Sequence, residues 1–175
     1  HHMGIAAAGY IPDARGQVND IRFFSQSSKL VYDEPVDVEM VARHTADQFQ
    51  HYTQYAGVRP MGVALIIGGV DNNGNSLFLA DPSGTYIAYN AVAIGANSDI
   101  VTEFLKKEYK PDITIDEGCM LAIAAIYLAG EIKKGTEHIK ISQIRSDTKR
   151  FEIIDDEHLT KLAQTTAVKY PTEQK

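Results

Sequence analysis

The sequence predicts a single α+β domain, because its hydrophobic period changes in blocks and does not alternate strand by helix. Two helical segments precede Gly62, a run of strand-like segments follows it, and two more helices lead to a hairpin and a last helix. Successive short strands of this kind favour an antiparallel sheet over the parallel sheet of repeated βαβ units. With 175 residues, 44% of them apolar, the chain can build one substantial core. The expected domain covers residues 1–170, and 171–175 reads as a flexible tail.

The elements follow in order. Gly4 to Gly9 is a short apolar run that feeds a helix at Pro12-Asp13, with proline in the first turn and a carboxylate at the positive end of the dipole. Val18, Ile21 and Phe24 continue that helix, which is expected to fade in Ser25-Gln26-Ser27-Ser28. A second helix starts at Asp37, where Val38, Val41, Ala42, Thr45, Phe49 and Tyr52 hold close to a 3.6-residue period. Beyond Gly62, Val63 to Val70 is rich in β-branched residues, Asp71-Asn72-Asn73-Gly74 is a turn, and Leu77-Phe78-Leu79 completes a hairpin. Asp81-Pro82-Ser83-Gly84 turns the chain again. Tyr86 to Tyr89 and Ala91 to Gly95 are then expected to extend the meander to four strands in succession.

Ser98 is the expected cap of a helix that reaches about Tyr109, with Val101, Phe104 and Leu105 inward. Thr114 and Glu117 have capping-box spacing ahead of a helix from Ile115 to Ala129, apolar on most sides and therefore expected between other layers. Ile139 and Ile141 alternate with polar residues, Asp147-Thr148-Lys149 suits a turn, and Phe151 to Ile154 returns as a strand. Asp155 caps the terminal helix.

Composition narrows the function. A formal charge of −6 offers no basic surplus for a phosphate backbone, so nucleic acid is not an expected partner. The apolar stretches around Gly62 to Val70 and Cys119 to Ala129 are too short to span a membrane, and no membrane partner is expected. One cysteine, Cys119, precludes an intrachain disulfide and fits a reducing, cytoplasmic address. His1 and His2 read equally as the end of a purification tag or as native residues.

The segment Tyr52-Thr53-Gln54-Tyr55-Ala56-Gly57-Val58-Arg59-Pro60-Met61-Gly62, with Val63 to Asp71 after it, resembles the signature of proteasome α-type subunits. Leu77-Phe78, Asp81-Pro82-Ser83-Gly84-Thr85-Tyr86 and Ala91 to Gly95 resemble successive motifs of that family in its order and approximate spacing. Ala8-Gly9 with Pro12-Asp13-Ala14-Arg15 resembles the start of its first long helix, so the likeness covers nearly the whole chain. It implies an αββα sandwich of the N-terminal-nucleophile hydrolase type. It further implies a non-catalytic subunit of the 20S core particle, assembled in seven-membered rings with other α subunits and with β subunits. A regulatory ATPase or activator is a further partner that the resemblance suggests.

Against the family pattern, the gating tail, the leading helix and the first strands have no counterpart in this chain. The sandwich is thus expected to be incomplete at its amino-terminal sheet strands, with exposed edges for another polypeptide or another copy to cover. A split subunit, an artificial boundary and a natural truncation all fit that expectation. An alternative is a truncated homologue that forms a different oligomer.

By the same resemblance, Tyr55, Ala56, Gly57 and Val58 line a constriction where copies meet around an axial pore. Tyr52, Gln54, Arg59, Pro60 and Gly62 complete the signature loop. Gly57 permits a positive φ and Pro60 restrains Arg59 to extended backbone, which specifies the loop's shape. The bland reading is a plain helix-to-strand connector. Gly9 and Tyr10 correspond to the family region near the pocket that receives activator tails. The surface around Asp13 and Arg15 is a candidate contact with neighbours.

No catalytic residue, cofactor site or metal site is expected. A threonine-type peptidase uses an amino-terminal Thr whose own amine is the base, whereas this sequence starts His1-His2-Met3. Gly4 and Gly9 have phosphate-loop spacing but lack the following Lys-Ser/Thr, and read as strand and turn. His44 and His51, seven residues apart on one helix, lie about 10 Å apart along its axis, too far to share a metal. Cys119 sits in apolar helix sequence, as an inert buried thiol does. Asp81 reads as turn chemistry, and Asp112, Asp116 and Glu117 as a loop and helix start.

Overall fold

In a computed structural model, residues 1–130 and 135–170 are described. Strand β1 (Met3–Gly9) enters helix α1 (Ile11–Tyr32), and α2 (Val38–Gln54) follows. Strands β2 (Val63–Asp71), β3 (Gly74–Ala80) and β4 (Tyr86–Ala88) come next, then α3 (Ser98–Glu108) and α4 (Ile115–Ala129). The hairpin β5 (Ser142–Ile144) and β6 (Phe151–Ile153) precedes α5 (Asp156–Lys169). The expected tail at 171–175 lies outside the described residues.

Strands β1 to β4 form one antiparallel sheet in chain order. The apolar run Gly4 to Gly9 pairs downstream, with Met3 opposite Gly69 and Gly9 opposite Val63. Asn72 and Asn73 make the two-residue turn that sets Asp71 against Gly74. One face of the sheet is apolar because Val63, Leu65 and Ile67 alternate inward, as the two-residue strand period requires. On it lies α2, with Val38, Val41 and Phe49 fully buried, while Ala14 and Ile21 bring α1 into the same core.

A second core joins Cys119, Ile123, Leu159 and Leu162 of α4 and α5 to Ile139, Ile141 and Ile154 beside the small β5–β6 sheet. The two sheets meet at β1, where a side chain on Gly4 would come within 2.7 Å of the Phe151 ring. The layers are thus helices, large sheet, small sheet, helices, the αββα order expected.

Several boundaries differ from the sequence reading. Helix α1 does not fade in the serine run; it continues to Tyr32 and stops at Asp33, whose φ of 57° lets its N–H reach the Lys29 carbonyl at 2.8 Å. Serine is neutral inside a helix unless its side chain competes for the backbone, and only the left-handed residue ends this one. Ala91 to Gly95 is not a strand. Pairing on β3 ends after the Tyr89 N–H bonds to the Leu77 carbonyl, alanine favours strands weakly, and Gly95 turns away at φ +99°. Ser98 is the first helical residue and not the cap, which is Asn97 at φ 58° with its side chain donating to the Ala129 carbonyl at 2.7 Å. The alternation at Ile139 and Ile141 is real burial, but strand pairing starts only at Ser142.

Other local readings hold. Thr114 and Glu117 make a full capping box, and the Asp155 carboxylate accepts the His158 N–H at 2.8 Å. Helix α4 packs against both α3 and α5, with Leu128 at its end the more exposed exception.

Candidate functional site

The signature segment spans the gap between α2 and β2, and each end of it is anchored differently. Upstream, α2 ends at Gln54 with the Tyr55 N–H bonded to the His51 carbonyl at 3.3 Å, and the His51 and Tyr55 rings stack at 5.2 Å. The Asp81-to-Thr85 turn presses on this last stretch of helix. Gly84, at φ +87°, lies so close to the Gln50 backbone that a Cβ would sit 2.5 Å from Gln50 Cβ. The turn owes its shape to the Asp81 carboxylate, which accepts the Ser83 N–H and the Thr85 hydroxyl, each at 2.7 Å. Burial alone would raise the Asp81 pKa, but hydrogen bonds from the Ser83 hydroxyl, the Thr85 hydroxyl and the Ser83 N–H together hold it below its ordinary value. Asp81 is a turn organiser here.

Downstream, the loop returns onto the first turn of α1. The Asp13 carboxylate accepts both Arg59 guanidinium nitrogens, at 2.7 and 2.9 Å, and the Gly62 N–H at 2.9 Å. Arg59 also donates to the Pro60 carbonyl at 3.0 Å and lies over the Tyr10 ring, 5.2 Å from its centroid. The Tyr10 N–H in turn donates to the Gly62 carbonyl at 2.7 Å. Gly9, at φ +128°, packs so tightly on the Gly62 carbonyl that no Cβ fits between them. Gly9, Tyr10, Arg59 and Gly62, singled out for separate reasons, therefore form one cluster.

Hydrogen bonds from Arg59, then from Gly62, hold the Asp13 carboxyl below its ordinary pKa, and Asp13 raises that of Arg59. Arg59 is open to water, its side chain 60% exposed against 14% for Asp13, so solvent screening keeps the pair's contribution to global stability small. What it supplies is position.

Between the anchors, Tyr55, Ala56, Gly57, Val58, Arg59 and Pro60 are all exposed. Gly57 has φ +84° and nothing within 4 Å of where a Cβ would be, which fits its predicted freedom. The loop is a fixed stem carrying a bare tip, with Tyr52 half-way out on the last turns of α2 and the Gln54 side chain donating to the Thr53 hydroxyl beside it.

Chemistry elsewhere is quiet. His44 Nε2 donates to the Asp20 carboxylate at 2.7 Å and its ring stacks on Phe24, a satisfied interhelical contact. Burial pushes the Cys119 thiol up to about 11, which leaves almost no thiolate near neutrality. A cleft of about 430 Å³ between β3, α4 and β5 borders on Cys119, yet among the described residues no charged side chain lines it. No group of His, Cys, Asp and Glu among the described residues is arranged to hold a metal. No helix among them is long and apolar enough to cross a membrane.

Sequence reasoning missed two parts of the arrangement. In the sequence Asp13 reads as a carboxylate at the positive end of the α1 dipole, and nothing local links it to Arg59, 46 residues away. The contact of Gly84 with Gln50 is equally remote in sequence, although an Asp-Pro-Ser-Gly turn directly ahead of a strand was its only available signal.

Comparison with known proteins places these features in context. The family model described as proteasome subunit matches residues 1–144. The chain is similar to the proteasome subunit alpha of Methanocaldococcus jannaschii, 42% identical over 163 residues that cover 93% of this chain and 62% of that protein. It is 37% identical over 169 residues to the proteasome subunit alpha of Methanosarcina acetivorans, covering 97% of this chain and 68% of the relative. Proteasome subunit alpha 1 of Haloferax volcanii is 40% identical over 157 residues, which cover 89% of this chain and 62% of it. The chain thus spans about two thirds of the length of these relatives.

Proposed function

The chain belongs to the proteasome subunit family, and from that premise we propose that it is a non-catalytic α-type subunit of a 20S core particle, supporting protein degradation carried out by β subunits. The observation that carries the reading is the exposed Tyr55–Val58 tip on a stem fixed at both ends. A loop that only joined a helix to a strand would need neither the three bonds to Asp13 nor the close seat of Gly84 on Gln50. In a ring of copies, seven such tips would converge on the axis and form a constriction for an unfolded chain.

The proposed role is geometric. The tip offers an aromatic ring, two small residues and a valine, groups that narrow a channel without acid-base chemistry.

Assembly is supported by apolar surface on α1. Phe23, Leu30 and Val31 lie along one face of the helix, Leu30 at 87% exposure, and an isolated subunit gains nothing from leaving them in water. The proposed partners are other α subunits and β subunits, with a regulatory ATPase or activator docking near Gly9 and Tyr10, in the cytoplasm.

The experiment is native mass measurement of the purified chain with and without co-produced β subunits. Ring-sized species of seven copies, alone or stacked on β rings, are expected. A stable monomer under both conditions would count against the reading.

A further inference from the structure

We propose that Asp13 is the positioning residue of the entry loop, and that through Arg59 it sets how wide a polypeptide the constriction admits. The inference rests on reading Tyr55–Val58 as a pore lining, and adds to it the device that controls that lining.

Among the described residues, Asp13 is the one side chain of another element that hydrogen-bonds into the stretch from Tyr55 to Gly62. Its three acceptor bonds all fall on the downstream stem. Two parallel bonds to a planar guanidinium fix the orientation of Arg59 as well as its distance, which a single contact or a lysine could not do. The third holds the Gly62 amide, so the stem is gripped at two points three residues apart.

Asp13 is itself well placed to act as a fixed post. It stands in the first turn of the 22-residue helix α1, whose Ala14 and Ile21 are buried in the core, and its own side chain is only 14% exposed. The tip has no comparable support, since every residue from Tyr55 to Pro60 is exposed. Motion of the tip is therefore limited chiefly by its stems. Among side chains of other elements, the downstream stem is hydrogen-bonded by one carboxylate alone, whereas the upstream one rests on the close seat of the Asp81-organised turn at Gly84 against Gln50.

Tyr10 completes the device. Its ring carries the Arg59 guanidinium and its N–H grips the Gly62 carbonyl, while its side chain remains 54% exposed. A displacement of Tyr10 would reach the loop stem through two direct contacts.

The test uses particles assembled from this chain and β subunits, carrying Asp13→Asn, Asp13→Ala, Arg59→Ala, or the pair Asp13→Ala with Arg59→Ala. Asp13→Asn keeps shape and an acceptor for Gly62 while removing the charge, so it stands if the alanine variants fail to assemble. Three quantities are read: ring assembly by native mass, amide exchange across residues 55–62, and degradation of an unfolded protein relative to a short fluorogenic peptide. Loss of bonds to a charged group should speed exchange of the Gly62 amide roughly tenfold in Asp13→Ala. The ratio of protein to peptide degradation should rise several-fold, and the double variant should do no more than Asp13→Ala alone.

Unchanged exchange and an unchanged ratio in intact rings would overturn the assignment, as would single effects that simply add. Val58→Trp separates this failure from that of the pore reading. If it slows protein entry while the Asp13 variants do nothing, only the positioning role falls; if it too leaves entry unaltered, the constriction itself is wrong.

Discussion

At the scale of residues, Asp13 and Cys119 show how burial and partners decide chemistry. The Asp13 pKa is depressed, so its contribution to loop order is complete above the ordinary aspartate value of 3.8 and is lost as pH falls through the lower folded value. The Gly62 amide resonance should accordingly stay constant from neutrality down to mildly acidic pH and shift only below 3.8; a midpoint at or above 3.8 would contradict the pairing with Arg59. Cys119 moves the opposite way, because burial, then the nearby Asp116 charge, disfavours its thiolate. With its pKa raised from 9.0 to about 11, alkylation at pH 8 should run about 100-fold slower than for a free thiol and recover on unfolding. Alkylation at the free rate in the folded protein would show that the thiol is exposed. Asp13 and Arg59 were both visible in the sequence, one as a helix-start carboxylate and the other as part of a signature. Their partnership was not, because a contact across 46 residues depends on β1 pairing with β2, which sets Gly9 beside Val63.

Elements were more legible than contacts. The helical period of α2 named its buried face correctly from Val38 to Phe49, and the capping box at Thr114 marked the start of α4, because both signals are local and repeated. Misreadings arose where a weak local preference met a tertiary choice. The serines of α1 gave no true stop signal, and the Ala91 to Gly95 run lost its chance of strand pairing when β3 ran out of partners. Element ends also depend on distant side chains: the first N–H of α2, on Val38, is satisfied by Asp71 at 2.9 Å and not by its own cap residue Asp37. Phe49, buried completely between α2 and the sheet, should cost about 3–5 kcal/mol of unfolding free energy when changed to alanine, measured by denaturant titration. A loss below about 1 kcal/mol would mean that α2 is not seated on the sheet as described.

At the scale of the whole molecule, two cores lie on either side of facing sheets, and the loop from Tyr52 to Gly62 leaves this frame from the edge of the first core. The αββα order was legible from the sequence through resemblance, and the blockwise order of elements agreed with it independently. The shape of the loop was legible only in part: Gly57 and Pro60 announced a specified turn, whereas the stem clamps needed the folded chain. The central claim is that the loop tips of several copies meet around one axis. Its most direct measurement is cross-linking between copies carrying Ala56→Cys with Cys119→Ala, so that the exposed tip holds the sole thiol, in particles assembled with β subunits. Converging tips should join subunits in pairs under a short bifunctional thiol reagent, within intact seven-membered rings. Intact rings whose Ala56→Cys subunits remain entirely unlinked would contradict the account.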